Sequence, residues 1–253
     1  MEAIMSTQAN RQVIPLADGF FNDGAWYVLT STSLGGSHLS PEQLVNKLQS
    51  DNAETLLDLA RNGICLPLFF QADCELDNAV IILGDLTEQE QHEWVGRIQA
   101  ELNIPCGEFL LLGGGGCEDD WEIALEHENP PDPQFMFFQK VKLPAGRYLL
   151  EIYAFLSSVT GSYAWENLKK RNTLPEQWRQ SPTDFPDWLE QFIEQEYIDS
   201  SEFDLQDYLL RLTPLQQQPP LPTLVPEVNW FGEFEIRMPE TAPTGISRSA
   251  LLR

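Results

Sequence analysis

The 253-residue sequence has no apolar run near the roughly 20 residues that a membrane-spanning helix requires. Its apolar runs, such as AVIIL at 79–83 and FLLL at 109–112, have the length of buried strands. The opening MEAIMSTQANRQVIPLADG lacks a basic patch leading into an apolar stretch and an export cleavage site, so a cytoplasmic location is expected. Cysteine is sparse: Cys65, Cys74, Cys106 and Cys117 form no C-x-x-C pair and lie near no histidine cluster. That spacing gives no zinc signature and predicts free thiols in a reducing compartment. Histidine is sparser, with only His38, His92 and His127, and there is no G-x-S-x-G elbow. A histidine base for a nucleophile would have to come from a meeting such as His38 with Cys117, which only the fold could bring about.

Cations are also few, 15 Lys and Arg against 39 Asp and Glu, for a net charge of −24. The deficit is uneven: from Asp73 to Glu128 there are fifteen acids and a single cation, Arg97. Such a field repels phosphate backbones and anionic lipid, so direct nucleic-acid or membrane-surface binding is not expected. It suits a basic protein partner or a cation.

What is present is a well-patterned chain, 42% hydrophobic and 11% aromatic, enough for a substantial core. GAWYVLTSTS reads as a strand from its alternation and its β-branched and aromatic content. LSPEQLVNKLQS and DNAETLLDLARNG read as two short helices, the first opened by Ser40 and Pro41, the second closed by Gly63. ICLPLFF and NAVIIL follow as strands separated by the acidic turn QADCELD. Thr87 with Glu90 forms a capping-box pattern at the head of EQEQHEWVGRIQAEL, which predicts a helix burying Trp94, Ile98 and Leu102. PCGEFLLLGGG returns to strand. FMFFQKVK and GRYLLEIYAF are two further strands about the LPAGR corner, the second apolar on both faces and so expected inside a sheet.

From Tyr163 to Thr213 the pattern predicts helices at WENLKKRN, LPEQWRQ, PDWLEQFIEQEYI and EFDLQDYLLRL. The proline-rich TPLQQQPPLPTLVP should run extended, NWFGEFEIRMP alternates as a returning strand, and PETAPTGISRSALLR reads as loose. The predicted fold class is α+β, a mixed or mostly antiparallel sheet with packed helices, a C-terminal helical segment and a returning tail strand. The organisation expected is a core over 1–160, an acidic helical segment over 161–213, and a tether, added strand and tail over 214–253.

The chemical candidates centre on FLLLGGGGCEDDWEIALE, residues 109–126. A phosphate loop needs a lysine and a hydroxyl after its glycines, but here three acids follow and the next lysine is Lys140. The Gly113–Asp120 loop instead offers Glu118, Asp119 and Asp120 as oxygen ligands for calcium or magnesium, with Asp73, Glu75 and Asp77 as partners in space. This gives one functional expectation, a divalent-cation-dependent binding module or hydrolase. The other is a non-catalytic accessory or regulatory protein with no resident cofactor, which meets a basic partner through the Asp73–Glu128 surface or the helix bearing Asp187, Trp188, Glu190 and Glu194. The second reading rests on charge segregation and is the one carried forward.

Overall fold

In the computed structural model, residues 11–22, 24–70, 72–170, 178, 185–225 and 231–253 are described. Two sheets lie face to face. The larger has six strands in the order β1 (Gln12–Pro15), β4 (Val80–Leu83), β9 (Tyr208–Pro214), β8 (Gly146–Ala154), β5 (Gly96–Ile104) and β12 (Glu235–Ile236). Every pair in it is antiparallel except β4 with β9. The smaller sheet is wholly antiparallel: β3 (Cys65–Phe69), β2 (Trp26–Ser31), β6 (Glu108–Gly113) and β7 (Phe138–Lys142). A two-residue pair, β10 (Leu224–Val225) with β11 (Phe231–Gly232), stands apart. The α+β expectation holds, including the returning tail strand, which is short.

The main core fills the space between the sheets. Alternate residues of β5, β8 and β9, among them Ile98, Leu102, Leu150, Ile152 and Leu210, meet Tyr27, Leu29, Leu66, Leu68, Phe109 and Leu111 of the smaller sheet. Burying each such aliphatic side chain favours folding by about 1.5–3 kcal/mol. The outer face of the smaller sheet is covered by α1 (Pro41–Leu48), α2 (Ala53–Arg61) and α4 (Glu118–Glu126) through Leu44, Leu48, Leu56, Leu59 and Trp121. Ser40 caps α1 in a capping box with Gln43, and Asn52 caps α2, as the sequence signals require. The outer face of the larger sheet is partly covered by Trp94, Leu86 and Ile246. Two further helices, α5 (Val159–Lys170) and α6 (Asp187–Gln195), share a cluster with Trp178, and Trp165 stacks on Trp178 at 5.7 Å between ring centroids.

Four readings need correction. The helix expected over 88–102 is α3 (Glu88–Glu93) followed directly by β5. Trp94, Ile98 and Leu102 recur every four residues, a spacing that fits one helical face and equally every second position of a strand; the burial of Ile98, Ala100, Leu102 and Ile104 decides for the strand. The helix expected at EFDLQDYLLRL is a short 3-10 turn, Ser200–Phe203, and then β9 in the middle of the larger sheet. Leu209 packs on the face opposite Tyr208, Leu210 and Leu212, so β9 (YLLRLTP) opens with three adjacent apolar residues and shows no clean alternation. The LPAGR corner is not a hairpin turn, since it carries the chain from β7 in the smaller sheet to β8 in the larger. The tail is not loose: Ile246 is buried, and a short helix, α7 (Arg248–Leu251), is capped by Ser247. Of the other predicted elements, LPEQWRQ apart from Trp178, and Trp230 of the returning strand, lie outside the described residues.

Candidate functional site

The glycine loop is built for a turn. Gly114 and Gly115 have φ of +86° and +108°, and a Cβ on Gly115 would stand 2.8 Å from Val28 Cγ2. Four of the loop's polar groups are bonded within the chain. Gly113 N donates to Phe137 O at 2.7 Å and Gly114 N to Trp26 O at 2.6 Å, while Gly115 O accepts from Trp121 Nε1 at 3.0 Å and Gly116 O from Gln49 Nε2 at 2.8 Å. No amide of Gly113 or Gly114 is left to cradle a phosphate.

A helix follows that loop at once. Glu118, Asp119 and Asp120 fill the first turn of α4, where the unpaired amides of a helix start favour negative charge by about 0.3–1 kcal/mol per acid. Cys117 at the cap position makes no side-chain bond to the helix, so these acids are the local answer to its positive end. Burial, then the neighbouring Asp119 charge, holds the Asp120 carboxyl above its ordinary value. Among the described residues, no three His, Cys, Asp or Glu side chains are grouped so as to hold a metal ion.

The second acidic turn has a different occupation. Asp77 Oδ1 accepts from Tyr27 Oη at 2.7 Å and its Oδ2 from Asn22 N at 3.2 Å, while Glu75 accepts from the buried Tyr208 hydroxyl. Nearby Asp207 accepts from Ser200 Oγ at 2.5 Å. Burial, with the Asp207 and Asp77 charges adding to it against the Tyr208 bond, pushes Glu75 up to about 7. Asp77 and Asp207 are also raised, chiefly by burial. This cluster ties the crossing between β3 and β4 to β2 and β9. Its sequence signal was only a run of acids, with no hint of the tyrosines that meet them.

The remaining acids divide sharply. Glu90, Glu93, Glu101 and Glu151 are all buried. Arg11 bonds Glu90 through both guanidinium nitrogens at 2.5 and 2.8 Å, and Arg147 reaches Glu101 at 2.6 Å. Glu151, in the middle of the larger sheet, takes Arg211 at 2.8 Å and Gln99 at 2.7 Å, with Arg97 at 3.9 Å. Glu93 receives Thr244 N, Thr244 Oγ1 and Gly245 N at 2.8–3.0 Å and so latches the tail.

The acids of the helical layer are exposed, apart from the half-buried Asp120. In α1, α2 and α4 the acids are Glu42, Glu54, Asp58, Glu118, Asp119, Asp120, Glu122 and Glu126, and the cations are only Lys47 and Arg61. Arg61 is used on Asp58 and Glu54. Among the described residues no acid of α4 has an ion-pair partner.

On α6, Asp187, Glu190 and Glu194 are exposed, but Trp188 is only 5% exposed. Its indole donates to Thr244 O at 3.0 Å, so the tryptophan assigned to a partner faces this chain's own tail instead. The reason is the stripe it shares with Leu189 and Phe192, both fully buried. The three histidines are exposed, and His92 Nε2 lies 2.8 Å from Thr241 Oγ1. No hydrogen bond joins His38 to Cys117, which are both exposed.

No protein-family model matches the chain, and no characterised protein matches it by sequence. Among solved structures it is similar to one described as crocagin biosynthetic gene J, at 11% identity and a TM-score of 0.34, over 81% of this chain and 96% of that one. It is also similar to ComJ from Bacillus subtilis, described as an inhibitor of the DNA-degrading activity of NucA, at 6% identity and a TM-score of 0.31, over 82% and 96% of the two chains. Among the described residues no helix is long and apolar enough to cross a membrane.

Proposed function

We propose that the protein is a non-catalytic accessory or regulatory factor that binds a basic protein partner, and that the layer of α1, α2 and α4 is the surface it presents. One observation carries this reading: the arginines of the larger sheet neutralise buried acids, while α4 keeps five acids in nine residues without an ion pair among the described residues. A rigid acidic face of this kind speeds encounter with a complementary surface and selects against acidic competitors. The non-catalytic part is supported by the exposed, scattered histidines and by the internal use of the Gly113 and Gly114 amides.

The test compares two faces at equal charge change. E118Q/D119N/E122Q removes three negative charges from α4, and D187N/E190Q/E194Q removes three from α6. Binding of a lysine-rich probe peptide is followed by fluorescence anisotropy at low and high salt. The α4 variant is expected to bind about tenfold more weakly than the α6 variant at low salt, with the difference lost at high salt. Equal weakening by both variants would mean that only net charge matters and would overturn the assignment.

A further inference from the structure

Two aromatic side chains stand at the surface beside the acidic layer. The segment before β2 and the segment before β7 run side by side, held by Phe21 N donating to Met136 O and Met136 N to Gly19 O, each at 3.2 Å. They form one parallel bridge, Phe20 with Met136. In extended backbone neighbouring side chains turn to opposite faces, so Phe20 and Met136 enter the main core while Phe21 and Phe135 turn away from it. Phe21 is 40% and Phe135 45% exposed. Their ring centroids lie 6.2 Å apart, with the planes 61° from parallel. A single exposed apolar side chain needs no partner, but two in contact make a patch.

The row of rings continues inward. Phe135 lies 5.8 Å from the buried Phe137, which shares the cluster under α4 with Trp121 and Ala124. The exposed pair is therefore the outer end of the layer whose acids face water.

The charge around it has one sign. Residues 12–22 and 118–139 contain no Lys or Arg. The cations that border them in sequence, Arg11, Lys140 and Lys142, are held by Glu90, Glu108 and Glu128. The turns that carry the two rings also carry Asp18 and Asp132, both exposed and without an ion pair among the described residues. Asp132 Oδ1 accepts from Gln134 N at 2.9 Å, and its Oδ2 accepts nothing among the described residues.

An occupant of this patch must combine positive charge with a face that can lie on a phenyl ring. Arginine does both: its guanidinium is planar and weakly hydrated, stacks on aromatic rings and still offers donors to a carboxylate, whereas a lysine ammonium keeps its water. The chain makes the same contact internally, with the Arg237 guanidinium 3.6 Å from the Trp94 ring centroid. A second copy of the chain does not fit, because each copy brings a net charge of −24.

We propose that Phe21 and Phe135 anchor an arginine side chain of the basic partner, with Asp18 and Asp132 supplying negative charge at the rim. This rests on the acidic-face reading above and adds the residue type that the partner presents and the place that receives it.

The test compares two labelled, end-blocked octapeptides of equal charge on the full chain by fluorescence anisotropy, one alternating arginine with glycine and one alternating lysine with glycine. The arginine peptide is expected to bind at least about threefold more tightly, and its δ-methylene protons to move upfield in NMR spectra on binding, the mark of a ring face. F21L/F135L keeps apolar bulk at both positions and should bring the two peptides to equal affinity, at the level of the lysine peptide on the wild-type chain. Equal affinities with no upfield shift on the wild-type chain would overturn the anchor and leave the α4 reading to its own variant, E118Q/D119N/E122Q. A preference that survives F21L/F135L would overturn it as well. An arginine preference that F21L/F135L abolishes, with affinity that E118Q/D119N/E122Q leaves unchanged, supports the anchor and removes α4 from the interface. A dimer that forms at rising protein concentration and is lost in F21L/F135L would seat a second copy on the pair and overturn the proposed occupant.

Discussion

The acids of β5 and β8 and the acids of α4 come from one strongly anionic composition and end in opposite states. Glu101 and Glu151 sit in strands where the cross-strand neighbour is chosen by register, and each has been given an arginine from an adjacent strand. The acids of α4 sit on a helix whose outer side meets only water, and no cation approaches them among the described residues. The first group is held in place by low exposure and fixed partners. The second group is free to interact, which is what a recognition surface needs.

That contrast can be broken most severely at Glu151. Removing one member of a buried ion pair leaves the other charge without a partner, a loss of about 3–5 kcal/mol in general. Arg97 keeps Glu235 at 2.6 Å and Arg211 keeps Asp85 at 3.1 Å, and the two arginines remain 27% and 20% exposed, so Glu151→Ala should lose roughly 3 kcal/mol, at the low end of that range. Urea unfolding should show the midpoint falling with the slope unchanged. A loss no larger than that of an exposed surface substitution would mean that the network is ornamental to the fold.

The next effect is smaller and depends on pH. Glu75 stands at about 7 in the fold against an ordinary value of 4.5, so between those limits the folded chain holds a proton that the unfolded chain has released. The contribution is therefore fully favourable at and below pH 4.5, declines as pH rises to about 7, and is flat above. After allowing for the partial exposure of the side chain, the decline is roughly 2 kcal/mol. Glu75→Gln keeps an acceptor for Tyr208 and removes the titration. Its unfolding midpoint should match the wild type near pH 5 and exceed it near pH 8. Parallel pH profiles for the two chains would show that this carboxylate is not the titrating group.

Much of this was legible in the residues, and the parts that were not have physical causes. Ser40–Pro41 and Thr87 with Glu90 marked helix starts correctly because a cap is a local event, settled within four residues. The extent of α3 was not legible, because a four-residue apolar spacing serves a helix and a strand alike. The position of β9 was hidden by its burial on both faces. At the site, the density of acid was plain, but which acids remain free was not. Arg147 finds Glu101 from 46 positions away and Arg211 finds Glu151 from 60, pairings that exist only once the strands are in register. The same holds for Trp188, whose helical stripe announced an apolar face without naming the tail that covers it.

The weakest expected effect on stability falls where the charge is densest, and it is the sharpest check on the comparison. In E118Q/D119N/E122Q two terms oppose each other. The first turn of α4 loses the favourable meeting of Glu118 and Asp119 with the helix start, a few tenths to about 1 kcal/mol for each acid. Against this, Asp120 is relieved of the neighbouring Asp119 charge, and like charges four apart, Glu118 with Glu122, no longer repel, a gain of about 0.2–0.5 kcal/mol for such a pair. The net change in the unfolding midpoint should correspond to a loss of about 1 kcal/mol or less, while probe binding falls about tenfold. A variant that kept its probe affinity but lost stability on the scale of Glu151→Ala would reverse the assignment, making α4 the structural acid cluster.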